Sequence, residues 1–233
     1  MTVWLPLSLA VAAPALAQKG AKTAAPPAGP TKLQPLYGNL TPAQAQQAVG
    51  TATLKSIDQS FASRPEASKF FSQKGFEYLQ EGQPDTATVR FNLAYALDPQ
   101  NPDAYRGLAV LLSQRPDAAT EAVQALLLRG LAVAPTNGPL LTDAATVTLG
   151  HYEKSKKKKD LQQAADYVQR ALLADSTNAA AWQNQARVRF YQEDYPGAWQ
   201  AVHKAQSLSL TALDFEFLTQ LLAKAPDPEG KFK

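Results

Sequence analysis

The sequence predicts an all-α chain built from repeated antiparallel helix hairpins, and three observations carry that expectation. Apolar residues recur at helical spacing through the body of the chain, no window alternates as a strand would, and isoleucine occurs once, at Ile57. Groups of small and large apolar residues return at intervals of 34, 36 and 41 residues, measured between Phe71, Tyr105, Leu141 and Trp182. Prolines fall at the ends of two units, Pro99 and Pro135, where a helix must stop.

The bulk numbers suit such a body. The chain has 233 residues, 45% apolar and 18% charged, enough for one or two globular domains with a sizeable core. Cysteine is absent, which excludes disulfides, thiolate metal sites, a lipidated cysteine and a cysteine nucleophile. The formal charge of +3 comes from one place: Lys154, Lys156, Lys157, Lys158 and Lys159 form a dense basic run, and without them the balance would be negative.

Residues 1–17 carry no charged side chain and end in Ala15-Leu16-Ala17, the small-x-small pattern of a signal-peptidase site. The run is shorter than the ~20 residues that span a bilayer, so a cleaved signal peptide is expected and an exported, periplasmic protein with it. Residues 18–40 combine Pro26, Pro27, Pro30 and Pro35 with Gly20, Gly29 and Gly38 and show no apolar periodicity; a flexible linker is expected. Thr41-Pro42-Ala43-Gln44 supplies an N-cap, a first-turn proline and a capping-box glutamine, so a capping helix is expected over 41–66. Ser63-Arg64-Pro65-Glu66 repeats that signature.

Four hairpins follow over 67–210. Each joins two helices of about twelve residues by a tight turn. Small residues (Gly75, Ala87, Ala94) sit where helices approach closely, and Phe71, Tyr78 and Phe91 fill the space beside them. Leu213, Phe217, Leu218, Leu221 and Leu222 mark a last helix within 211–225, ended by Pro226 and followed by a tail over 226–233.

These positions resemble the tetratricopeptide repeat (TPR) family. The first unit presents Phe71, Gly75, Tyr78, Ala87, Phe91 and Pro99 in the family's aromatic, Gly, Tyr, Ala, Phe and Pro slots, with Lys74 where Leu is usual. The second presents Tyr105, Leu108, Ala109 and Leu112 and closes late at Pro135. The fourth presents Trp182, Ala186, Ala198, Val202 and Ala205, with Arg189 and Leu210 where Tyr and Pro are usual. The third keeps Leu141, Ala144, Ala145, Ala164, Val168 and Ala171 around an insertion. The resemblance implies a right-handed α-solenoid of four TPR units, closed by the helices at 41–66 and 211–225, because a solenoid's end faces need covering.

No catalytic constellation is present. His151 and His203 lie in different units without metal-ligand spacing, and the sequence holds no phosphate loop, nucleophile elbow or H-E-x-x-H. A non-enzyme is expected, with no cofactor and no metal. In TPR proteins the outward face of the first helices lines a concave groove that binds peptides. Carried onto this chain, that face holds Phe76, Gln80, Arg106, Val110, Gln183, Arg187, Phe190 and Tyr191, with the two arginines as cationic anchors. The Lys–Asn pair of the carboxylate-clamp subclass is replaced by Ser72 and Phe76 in the first unit, which argues against that mode. A protein or peptide partner is therefore expected, with no nucleic acid and at most peripheral membrane contact. The alternatives are an anion patch at Lys154 and Lys156–Lys159 for lipid or glycan, or a structural subunit of an envelope or secretion complex. Trp182 is expected in the core of the fourth hairpin and Trp199 against a neighbouring unit.

Overall fold

The computed structural model describes residues 31–233. The signal-peptide segment 1–17 and residues 18–30 of the expected linker lie outside the described residues. Every regular element among the described residues is helical. The first hairpin pairs α4 (Arg64–Gln80) with α5 (Pro84–Leu97), and the second pairs α6 (Pro102–Ser113) with α7 (Thr120–Val133). The third pairs α8 (Gly138–Ser155) with α9 (Lys158–Ala174), and the fourth α10 (Ala179–Tyr191) with α11 (Tyr195–Leu208). Asn101, Asn137 and Asn178 cap the first helices of units two to four, each accepting a backbone N–H in the first turn.

The hairpins close on one another where glycine lets them. Phe91 is fully buried, and its ring lies over Gly75 of α4 and Gly107 of α6. A Cβ added at either glycine would fall 2.7 or 2.2 Å from the ring, so neither position admits a side chain while Phe91 stays in place.

The start of the described residues departs from expectation. Residues 31–40 are not a free linker. After a short 3₁₀ turn, Thr31–Leu33, the turn α1 (Leu36–Asn39) is left-handed throughout, with φ of 51° at Leu36, 54° at Tyr37, 79° at Gly38 and 66° at Asn39. Left-handed backbone costs about 1–2 kcal/mol at each non-glycine residue. Burial offsets it: Leu36 and Tyr37 are 0% and 4% exposed in the main core, worth about 1.5–3 kcal/mol for a large side chain. Burial also pushes the Tyr37 phenol up to about 12. The segment lies between α5 and α7. Asn92 Nδ2 donates to the carbonyls of Lys32 (2.9 Å) and Gln34 (2.8 Å), and Tyr95 Oη to that of Leu40 (2.9 Å). Composition pointed to a linker because proline and glycine mark turns as well as spacers.

The expected capping helix over 41–66 is two helices, α2 (Pro42–Val49) and α3 (Thr51–Ser60), broken at Gly50, whose φ is 89°. Thr41 forms the capping box with Gln44, as its sequence demands. Ser63 opens α4, so the second capping signature starts the first repeat rather than ending the cap.

At the other end α12 (Phe215–Leu222) covers the fourth hairpin with Phe217, Leu218 and Leu221. The tail folds back on it. Phe232 stacks on Trp199 (centroids 5.9 Å) and on His203 (6.3 Å), and Trp199 Nε1 donates to the Ala225 carbonyl (3.1 Å). The Asp227 side chain is fully buried beside His203 Nε2 at 2.9 Å. Burial pushes its carboxyl up, but the backbone N–H groups of Phe232, Glu229 and Lys231 and the nearby His203 bring it below its ordinary value. Of the two helical tryptophans, Trp199 is the buried one at 1% exposure, while Trp182 is half-buried at the surface.

Candidate partner-binding face

The first helices α4, α6, α8 and α10 present one continuous face, and its polar groups are tied to one another across successive units. Asn101 Nδ2 donates to Ser68 Oγ (2.8 Å) and Ser72 Oγ (2.9 Å) of the preceding unit. Asn178 and Asn184 do the same to Thr142 and Thr146 of α8. Between these, Arg106 Nε pairs with Asp143 Oδ2 at 2.7 Å, joining α6 to α8. The guanidinium also lies over the Phe76 ring at 5.3 Å, so Arg106 spans three units. Burial pushes the Asp143 carboxyl above its ordinary value despite that arginine.

A second cluster forms where α8 meets α10. Arg187 Nη2 and Tyr191 Oη (2.6 Å) both donate to Glu153 Oε1. Tyr191 packs edge-on against Tyr152 (5.0 Å), and the Lys156 ammonium lies 5.6 Å from both rings. Burial, then the Glu153 carboxylate, push the Tyr191 phenol far up, so it is a hydrogen-bond donor at any ordinary pH.

The expected groove residues therefore divide. Gln80 is exposed, and Phe76 and Val110 are half-buried on the face. Arg106, Arg187 and Tyr191 lie on it but are engaged inside the chain, not free anchors. Phe190 turns away from it, edge-on to Phe217 of α12 at 5.5 Å. Gln183 is 6% exposed, and neither atom of its amide has a hydrogen-bond partner among the described residues.

Sequence reasoning missed Asp143, Tyr152 and Glu153, which hold those arginines and tyrosines. A signal existed: Asp143 stands two residues after Leu141 as Asn184 stands two after Trp182, and both reach the adjacent unit. Between α6 and α8 the face opens into a notch of about 90 Å³ lined by Val110, Ser113, Asp143, Thr146 and Val147.

The lysine run straddles the turn of the third unit. Lys156 takes a left-handed backbone (φ 53°) after α8, and Lys158 and Lys159 lie in the first turn of α9. All five lysines are exposed. Among the described residues no group of three or more His, Cys, Asp or Glu is placed to hold a metal ion, and no helix is long and apolar enough to cross a membrane.

No protein-family model matches the chain, and no curated protein sequence matches it. Solved structures do. A thermophilic TPR protein of Thermus thermophilus superposes with a TM-score of 0.56 at 17% identity, over 70% of this chain and 94% of that one. A MamA chain from Desulfovibrio magneticus gives 0.51 at 13% identity, over 70% of this chain and 86% of that one. At such identities the likeness is one of fold. Repeat spacing, paired helices and these neighbours agree: the chain has the tetratricopeptide repeat fold, an all-α solenoid of four antiparallel hairpins.

Proposed function

We propose that this chain is an exported, periplasmic, non-enzymatic scaffold that docks a peptide segment or partner protein on its first-helix face. The observation that carries the reading is the notch at Val110 and Val147. It is about 90 Å³, the size of one small apolar side chain, and Asp143, held in place by Arg106, stands in its wall. Because that pair and the Asn–Ser and Asn–Thr bonds already fix the helices, a ligand meets a preformed surface and little ordering entropy is lost. Val110→Lys is expected to place a charge in the notch while its alkyl stem covers the apolar wall, leaving helicity intact. Partner recovered with the wild-type chain by affinity purification should then be lost. Capture that survives Val110→Lys places docking elsewhere.

A second reading has its own support. Lys158 and Lys159 stand in the first turn of α9, where the helix dipole disfavours positive charge. Residues kept against local stability serve something else, and an anionic lipid or glycan surface is the chemistry five lysines would meet. Replacing the five with serine separates the readings: loss of capture there, with Val110→Lys unaffected, favours the anionic surface.

Export is supported by the uncharged run ending at Ala15-Leu16-Ala17. Protein isolated from the envelope of its host should begin at Gln18. A chain that retains Met1 in the cytoplasm removes export from the proposal.

A further inference from the structure

The seated segment Lys32–Leu40 shows what the opposite side of the solenoid can hold. Successive second helices there flank a cleft floored by the first helix between them, and the four hairpins make three such clefts. The first, between α5 and α7, holds Lys32–Leu40. The second, between α7 and α9, is filled by Tyr167 and reduced to about 140 Å³. The third, between α9 and α11, holds no segment of the described residues and measures about 1160 Å³.

The third cleft matches the first position by position. Gly197, Gln200, Ala201 and Lys204 of α11 stand relative to Ala198 as Ala122, Ala125, Leu126 and Arg129 of α7 stand relative to Val123, and each set lines its cleft. Tyr167 occupies the Ala201 position in the middle cleft, which is why only the third stays open. On α9, Gln169 stands five residues after Ala164 as Asn92 stands five after Ala87. Asn92 is the side chain that holds the seated segment by its carbonyls. Gln169 offers the same primary amide, is exposed, and makes no hydrogen bond among the described residues.

We infer that the α9–α11 cleft docks a short peptide segment of a partner protein, laid between the second helices as Lys32–Leu40 is laid between α5 and α7. This rests on the reading of the chain as a peptide-docking scaffold and adds a second docking face to it. The cleft defines its occupant. Leu172 and the half-exposed Trp182 ring, whose N–H is already taken by the Ser176 carbonyl (2.9 Å), present apolar surface for a pair like Leu36-Tyr37. Gln169 takes backbone carbonyls. Arg129 reaches the Asn39 side chain at the end of the first cleft (3.4 Å). Lys204 holds the same position in the third and forms no ion pair among the described residues, so an acidic or amide side chain fits there. Arg189 is held by Asp194 at 3.1 Å, leaving the cleft net positive. The segment 32–40 of a second copy is not the occupant, because each copy's own α5–α7 cleft already binds it.

A displayed library of random ten-residue peptides, selected against the full chain, tests this. Enriched sequences should join an apolar and an aromatic residue between Pro or Gly and carry an acidic or Asn residue beyond. Gln169→Ala and Lys204→Glu should each weaken their binding about tenfold with thermal unfolding unchanged, and Val110→Lys should have no effect. Enriched peptides insensitive to both cleft variants but lost with Val110→Lys would overturn the cleft while sparing the scaffold reading. No enrichment at all would overturn both. Self-association of the chain that Gln169→Ala abolishes would assign the cleft to a second copy and overturn the partner assignment.

Discussion

Phe91→Ala is expected to lower stability by about 3–5 kcal/mol, the range for a buried phenylalanine, against a typical total of about 5–15 kcal/mol. The ring is fully buried, meets Phe76 edge-on at 4.8 Å, and fills the space that Gly75 and Gly107 leave on either side. Neither flanking glycine has a side chain to move into the hole. The loss should also be local. A solenoid's units touch only their neighbours, so damage between units one and two need not reach unit four. With residues 1–17 removed, both remaining tryptophans, Trp182 and Trp199, lie in that fourth unit. In urea, the far-ultraviolet dichroism of Phe91→Ala should fall before tryptophan fluorescence changes. Coincident transitions with a loss under about 1 kcal/mol would show that the ring is not the wedge the geometry makes it. The reciprocal change agrees in sign. Gly107→Ala gains about 1 kcal/mol of helix propensity yet drives a methyl into the ring, an overpacking cost of about 1–3 kcal/mol, and Phe91→Leu should relieve it.

The Gly75 side of that wedge was legible in the sequence, as were the hairpins, because tight packing leaves a residue-type signature at fixed spacing; the Gly107 side, which belongs to the next unit, was not. Gly75, Ala87, Phe91 and Ala94 are forced by contact geometry, and a repeated contact writes itself four times. The seated segment was not legible. Leu36-Tyr37 occurs once, carries no period, and stands among prolines and glycines that equally mark a spacer. Its burial depends on Asn92 and Tyr95, far away in the chain. The candidate face was legible in position but not in state. Helical spacing put Arg106, Arg187 and Tyr191 on one side of their helices, and they are there. Whether a guanidinium waits for a ligand or is already paired depends on Asp143 and Glu153, in the unit whose spacing drifts most. The same limit misplaced the tryptophans. Trp182 fills the family's aromatic slot, yet it borders an open cleft because Ala201 is small where Tyr167 is large.

Arg106→Ala is expected to cost about 1–3 kcal/mol at pH 7, the penalty for leaving a partly buried charged partner unpaired, and that cost should depend on pH. Asp143 and Arg106 are 26% and 29% exposed, so solvent screens the pair only in part. Burial already holds the Asp143 carboxyl above its unfolded value with the arginine in place. Removing the arginine takes away the influence that opposes burial, so the carboxyl rises further. A raised folded-state value means the native protein binds the proton more tightly than the unfolded chain. The stability linked to that proton is fully present below the unfolded value of about 3.9 and is lost as pH rises through the folded one. The variant should therefore be most impaired near neutrality, where Asp143 must stay ionised without a partner. It should recover toward wild type as pH falls to about 4. A remainder of about 0.5–1 kcal/mol should persist at all pH values from the lost contact of the guanidinium with Phe76. Asp143→Asn in the Arg106→Ala background should remove the pH dependence and keep the remainder. Denaturant midpoints for wild type, single and double variants at pH 7 and pH 4 decide it. A penalty for Arg106→Ala that is the same at both would mean that Asp143 is not burdened by its burial, and that the pair orders the face without supporting it.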